Sequence, residues 1–164
     1  MSDPVRAAYS AGLALLARRE LSEAQIRERL RRKDHDACAV DGALARLRSA
    51  GALDDRRVAM SAARTEAHVR SRGRGYVLRR LAAMGISPDL AAEAVDEVFG
   101  ALDESALLAR AISRRLRGPS AAIEGPAHFR RLYQQLVRQG FAPSAVISAL
   151  KARSRGSDVG VDEA

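Results

Sequence analysis

Val77-Leu78-Arg79-Arg80-Leu81-Ala82-Ala83-Met84-Gly85-Ile86-Ser87-Pro88 is the passage from which the architecture can be worked out. Moved back 51 residues, Leu81 falls on Leu30; moved forward 55, it falls on Leu136. The neighbours then align as well. Ile26, Val77 and Leu132 stand four residues before; Asp34, Gly85 and Gly140 four after; His35, Ile86 and Phe141 follow; Leu44, Val95 and Leu150 come fourteen after. Ser87-Pro88 matches Ala142-Pro143, with Asp36-Ala37 in the same place of the first copy. Proline at a first helical position has a pre-set φ and lacks an N–H that would be unpaired there anyway. Gly85 and Gly140 read as left-handed terminators of the helix before them, with Asp34 as a tolerable substitute. One unit of about fifty residues therefore occurs three times, the signature of a repeat architecture.

Each unit reads as three short helices, because apolar residues recur at three and four spacing almost from end to end and no alternating Val/Ile/Thr run or Asn-Gly hairpin occurs. The first helices are expected near Arg6 to Arg18, Asp55 to Arg72 and Glu104 to Leu116. The second are expected near Ser22 to Lys33, Gly75 to Met84 and Ala127 to Gln139, and the third near Ala37 to Ala50, Pro88 to Phe99 and Pro143 to Ala152. Ser22 followed by Gln25 is the pattern of a capping box. The stretch Gly118 to Pro126 holds Gly-Pro twice and reads as a loop that absorbs the unequal spacing. The expected fold is all-α: three tandem three-helix, helix-turn-helix-like repeats over 1–53, 54–102 and 103–153, forming an elongated, curved array, with a flexible polar tail at 154–164. Such an array offers a long surface to an extended partner.

Composition limits the function. In 164 residues, hydrophobic side chains make up 47% and charged ones 29%, which excludes a disordered chain; there is no Trp, with three Phe and three Tyr, so the core is thin and helical. Cys38 stands alone, which removes disulfide and zinc-finger scaffolds and fits a reducing cytoplasm. No secretory signal and no long apolar run appears, so a cytoplasmic protein without a membrane association is expected. Lysine plus arginine exceeds the acids by 28 − 20 = 8, and Lys33 and Lys151 are the only lysines. The positive charge is thus an arginine property, and arginine bonds phosphate and carboxylate bidentately.

The charge is unevenly placed. Residues 1 to 82 hold 18 basic and 10 acidic side chains, whereas 83 to 164 hold 10 of each. One cluster is Arg64, Arg70, Arg72, Arg74, Arg79 and Arg80 facing only Glu66; a second is Arg27, Arg29, Arg31, Arg32 and Lys33 with only Glu28. Each arginine alone can be a solvated helix residue, but clustering costs a few tenths of a kcal/mol per pair, roughly, and an anion would relieve it. Asp89, Glu93, Asp96, Glu97, Asp103 and Glu104 form an acidic run that can balance Arg110, Arg114, Arg115 and Arg117 of the next helix, or serve a partner.

Signs of catalysis are missing. No phosphate-binding loop precedes a helix, and Gly73-Arg74-Gly75 has no strand before it. Asp54 and Asp55 read as caps of the following helix rather than as an acid/base dyad. His35 takes the place of Ile86 and Phe141 and reads as a partly buried core histidine; Cys38 reads as a small apolar filler without a base to activate it. No enzyme, no cofactor and no metal site is expected.

Leu53-Asp54-Asp55-Arg56, Val69-Arg70-Ser71-Arg72, Val77-x-x-x-Leu81-x-x-x-Gly85-Ile86 and Arg131-Leu132-x-x-x-Leu136-x-x-x-Gly140-Phe141 resemble the RecX regulatory proteins of bacteria, as does Ala14-Leu15-Leu16-Ala17-Arg18-Arg19-Glu20-Leu21-Ser22. The resemblance runs from Ala7 to Arg153. It implies a non-catalytic modulator that docks on the filament of the RecA recombinase on DNA and restrains its ATPase, strand-exchange and coprotease activities. In the family's recurring positions stand Asp54, Asp55, Arg70, Arg72 and Gly85; the sequence departs at Ala59 to Ala63, where the family usually has an aromatic, and at Tyr76-Val77. Arg70, Arg72, Arg74, Arg79 and Arg80, with Arg27, Arg29, Arg31 and Arg32, are the expected filament- and nucleic-acid-binding residues. Gly85, Pro88, Gly140 and Pro143, with Asp54 and Asp55, are the structural repeat positions. The expected partner is a RecA filament on DNA, with DNA itself as a further candidate and the protein a monomer. A helix-turn-helix DNA binder and a helical protein adaptor stand as alternatives.

Overall fold

A computed structural model describes residues 3–117 and 122–158. Among these residues there are nine α-helices and one π-helical segment, and no strand. The helices are α1 (Pro4–Leu16), α2 (Glu23–Arg31), α3 (Ala37–Ser49), α4 (Asp55–Arg64), α5 (Arg74–Ala83), α6 (Pro88–Gly100), α7 (Glu104–Leu116), α8 (Gly125–Arg138) and α9 (Pro143–Asp158). The chain forms two compact units, one of Met1–Ala62 with Arg80–Ala94, the other of Ala63–Arg79 with Val95–Ala164.

Helix starts are set by side-chain oxygens that accept the otherwise orphaned first N–H groups. Asp3 accepts from Val5 N at 3.0 Å ahead of Pro4, and Asp36 accepts from Ala39 N at 2.8 Å. Ser22 and Gln25 form the expected capping box on α2. Asp103 accepts from the backbone N–H groups of Ser105 and Ala106 and from the Ser105 hydroxyl. Those bonds, the Ser105 hydroxyl foremost, hold the Asp103 carboxyl below its ordinary range.

Helix stops repeat one device at the three aligned positions. Asp34, Gly85 and Gly140 all have positive φ, at 61°, 76° and 88°. Just beyond them, the N–H groups of His35, Ile86 and Phe141 return to the carbonyls of Leu30, Leu81 and Leu136 at 3.3, 3.1 and 3.3 Å. This is the six-to-one bond of a Schellman ending, made with the same three leucines that align the sequence.

In the first unit, Ala8, Leu21, Ile26, Leu30, Val40, Leu44, Leu47 and Leu53 belong to one buried cluster. Small residues let α1 and α3 come close: a Cβ added at Gly12 would meet Leu47 Cδ1 at 2.8 Å. Burying a leucine or isoleucine side chain contributes about 2 kcal/mol, so a chain poor in aromatics reaches stability by many aliphatic contacts. In the second unit Leu107, Ile112, Leu132, Leu136, Val146 and Leu150 are buried at 3% exposure or less.

Four expectations are corrected. The first helix of the middle copy does not run to Arg72: α4 passes into a π-helical segment, Thr65–Val69, closed by the bond from Arg70 N to Thr65 O at 3.2 Å. The helix beginning at Pro143 continues past Ala152 to Asp158, so the front of the expected polar tail is helical. Its remainder, 159–164, and part of the expected Gly-Pro loop, 118–121, lie outside the described residues. Cys38 is exposed rather than a core filler, because it sits on the solvent side of α3's first turn. The acidic residues of α6 answer arginines that precede them, not those of α7: Glu93 pairs with Arg56 at 2.6 Å, Asp96 with Arg74, and Glu97 with Arg64 at 3.7 Å. His35 is half-buried, as its register position requires.

Candidate functional site

The two neighbouring carboxylates both cap helices, but different ones. Asp54 accepts from Arg57 N at 3.0 Å at the start of α4. Asp55 instead accepts from Glu23 N at 2.8 Å, at the start of α2. Burial pushes the Asp55 carboxyl up from its ordinary value, with Glu23 and Asp54 adding to the effect and the Glu23 N–H opposing it. Sequence adjacency suggested one shared helix; the contact spans 32 residues and carried no local signal.

The α2 arginines divide by partner. Arg27 pairs with Glu23 at 3.1 Å and with Asp41, so its charge is internally compensated. Arg29 is half-buried and donates to Gln25 O at 3.0 Å, while Arg31 and Arg32 are exposed. Arg32 and Arg29 border an open depression of about 390 Å³ that also touches Glu28, Met84 and Gly85. Inside this unit the Ser22 hydroxyl, fully buried, donates to Met84 O.

The middle arginines are more structural than their sequence suggests. Arg74 opens α5, pairs with Asp96 and with Glu104 at 3.5 Å, and lies over the Phe99 ring at 5.3 Å. Arg70 pairs with the buried Glu66 at 2.9 Å. Arg72 lies over the Tyr76 ring at 4.7 Å, an arrangement that fixes the guanidinium plane. Arg79 donates to Arg138 O at 3.0 Å, and Arg80 is exposed. Of the arginines expected to meet an anion, then, Arg31, Arg32 and Arg80 offer their heads to solvent, whereas Arg27, Arg70 and Arg74 are tied to carboxylates.

The glycines of Gly73-Arg74-Gly75 serve the backbone. Gly73 N donates to Gln139 O at 2.8 Å and Gly75 N to Gly140 O at 3.0 Å. A Cβ on Gly73 would stand 2.5 Å from the Gly140 carbonyl, so the two chain segments touch only because side chains are absent there. Gly85 likewise closes on the Ala24 Cβ, and Pro88 and Pro143 open α6 and α9. Among the described residues no group of three or more His, Cys, Asp or Glu side chains could hold a metal ion, and no helix is long and apolar enough to cross a membrane.

Residues 8–47 match the RecX first three-helix domain. A regulatory protein RecX from Syntrophotalea carbinolica is 33% identical over 143 residues, covering 85% of this chain and 91% of that protein. The chain belongs to the RecX family. A RecX regulatory protein from Geobacillus kaustophilus is 30% identical over 151 residues, or 92% of this chain, which spans 55% of that relative's length. The crystal structure of RecX from Lactobacillus salivarius has a TM-score of 0.72 at 17% identity, covering 97% of this chain and 99% of that one, and so speaks for the fold. A second crystal structure of a regulatory protein RecX has a TM-score of 0.71 at 25% identity, covering 92% of this chain and 73% of that one.

Proposed function

We propose that this RecX-family chain is a non-catalytic regulator that binds the RecA recombinase filament on DNA and restrains its ATPase, strand-exchange and coprotease activities, acting in the cytoplasm in recombination and the SOS response. Family membership is the observation that carries the reading. The arginine excess supports it, because a surface of guanidinium heads suits phosphate and acidic protein alike. Within the two clusters, Arg31, Arg32, Arg79 and Arg80 are exposed arginines not tied to a carboxylate, so they bear the contact. Division into modules 1–53, 54–102 and 103–153 would let each repeat present its own arginines.

The test is the recombinase's ATPase on single-stranded DNA, titrated with the full chain. Turnover should fall, and reversing Arg31, Arg32, Arg79 and Arg80 to glutamate should raise the concentration needed by about tenfold or more, the change that roughly 1.4 kcal/mol of lost contact produces. Unchanged inhibition in that variant overturns the assignment of these residues. If instead the chain alone binds duplex DNA with a log–log salt slope near −5, as expected for about six phosphate contacts, the helix-turn-helix reading replaces this one.

A further inference from the structure

Between the end of the π segment and α7, within the second unit, lies a cavity of about 120 Å³ bordered by Arg70, Ser71, Arg72, Arg114, Arg115 and Gln139. Four guanidiniums border one small space. One carboxylate is held nearby, Glu66, whose Oε1 binds Arg70. Arg114 donates to Val69 O at 3.1 Å. Gln139, 7% exposed, lies against Arg115, and with its amide oxygen turned to that guanidinium it accepts from Arg115 Nε at 3.0 Å. Arg70 is thus compensated by Glu66, whereas Arg72, Arg114 and Arg115 are placed by ring, backbone and amide contacts, which leave them their charge.

Two donors at this pocket have no partner, and neither has Oε2 of the nearby buried Glu66. Ser71 is 1% exposed, and its hydroxyl makes no hydrogen bond; Arg72 Nε is buried and makes none. Buried donors without partners are uncommon and cost stability, so an unfilled pair in one pocket marks a place built for an acceptor. Ser71 also has φ of 51°, a left-handed conformation that serine rarely adopts. Strain of this kind concentrates where a side chain must be aimed.

We propose that this cavity binds a single phosphate group, accepting hydrogen bonds from Ser71 Oγ, Arg72 and Arg115. Arginine forks match a tetrahedral oxyanion, and charge-assisted bonds are the strong ones. The cavity, about 120 Å³ and partly open, has room for one phosphate group. The group comes either from free phosphate or from a nucleic-acid backbone; the recognising chemistry is the same. This goes beyond the filament reading, since it requires nothing of the recombinase.

The experiment is calorimetric titration of the full chain with inorganic phosphate at constant ionic strength. Saturable one-to-one binding with a Kd of about 1 mM or tighter is expected. Arg72→Gln and Arg115→Gln should each weaken it by about fivefold or more, through loss of charge-assisted bonds. Ser71→Gly relieves the positive φ while removing the hydroxyl together with its Cβ, so it keeps the fold and should weaken binding by about two- to fivefold. Arg110→Gln, an exposed control on α7, should bind as the parent does. Absence of saturation in the parent overturns the proposal whatever the variants do, as does affinity unchanged by both Ser71→Gly and Arg115→Gln. In a second arm, displacement of a short oligothymidylate by phosphate identifies the backbone as the source, and phosphate binding without displacement identifies the free ion; either result supports the pocket. Oligonucleotide binding that persists in both arginine variants, with no phosphate saturation, overturns it. Because no recombinase is present, failure here leaves the ATPase test standing, and the reverse holds too.

Discussion

The turn after α2 and the turn after α8 share a backbone and differ in their surroundings. At Asp34 the φ is 61° and the residue is exposed; at Gly140 it is 88°, and an added Cβ would stand 2.0 Å from Tyr76 N. The turn after α5 lies between them: at Gly85 the obstacle is the Ala24 Cβ at 2.3 Å, a side chain rather than backbone. One conformational requirement is thus common to all three, while the demand for glycine grows with what presses on it. Left-handed conformation alone costs an L-residue about 1 kcal/mol, which aspartate tolerates; collision with a neighbouring backbone is a separate and larger cost.

This gradation can be broken at its strongest point first. Gly140→Ala should destabilise by about 4 kcal/mol, since the strain of the turn adds to loss of the Gly73 and Gly75 hydrogen bonds. Urea unfolding of the full chain measures it, and a cost under about 1 kcal/mol would show that the close approach to Tyr76 is not a constraint. Gly85→Ala should cost about 2 kcal/mol, because Ala24 can move with its helix where a backbone ladder cannot. Equal costs at the two glycines would erase the distinction between side-chain and backbone obstacles. Asp34→Gly should change stability least, with a gain of about 0.5 kcal/mol: the left-handed penalty disappears while the unfolded chain gains freedom. A loss there would mean that the Asp34 side chain makes a contribution of its own.

The repeat register was legible because it rests on local chemistry. Leu30, Leu81 and Leu136 with their left-handed partners four residues on are enough to place the second helices and the stops, and the structure returns all three endings. Ser22 and Gln25 were equally readable, since a capping box is contained in four residues. What escaped depends on distance along the chain. Asp55 serves α2, 32 residues away, and Gly73 and Gly75 meet Gln139 and Gly140. Nothing in the composition of either segment announces those meetings. The arginine clusters were visible as charge, but charge does not say which guanidinium a carboxylate will take. Arg74 and Arg70 stand at the centre of the charged stretch and are ion-paired, whereas the Ser71 hydroxyl between them is buried without a partner. Arg115 and Gln139 could not be joined to it without the fold.

The π-helical segment at Thr65–Val69 has one more implication. Inserting a single residue into a helical turn rotates everything downstream by about 100°, since 3.6 residues complete a turn. Val69, the last residue of that segment, is 66% exposed. The wide turn thus works as an indexing step, setting the azimuth at which Arg70, Ser71 and Arg72 leave the rod, and a lineage could re-aim the whole triplet by losing one codon.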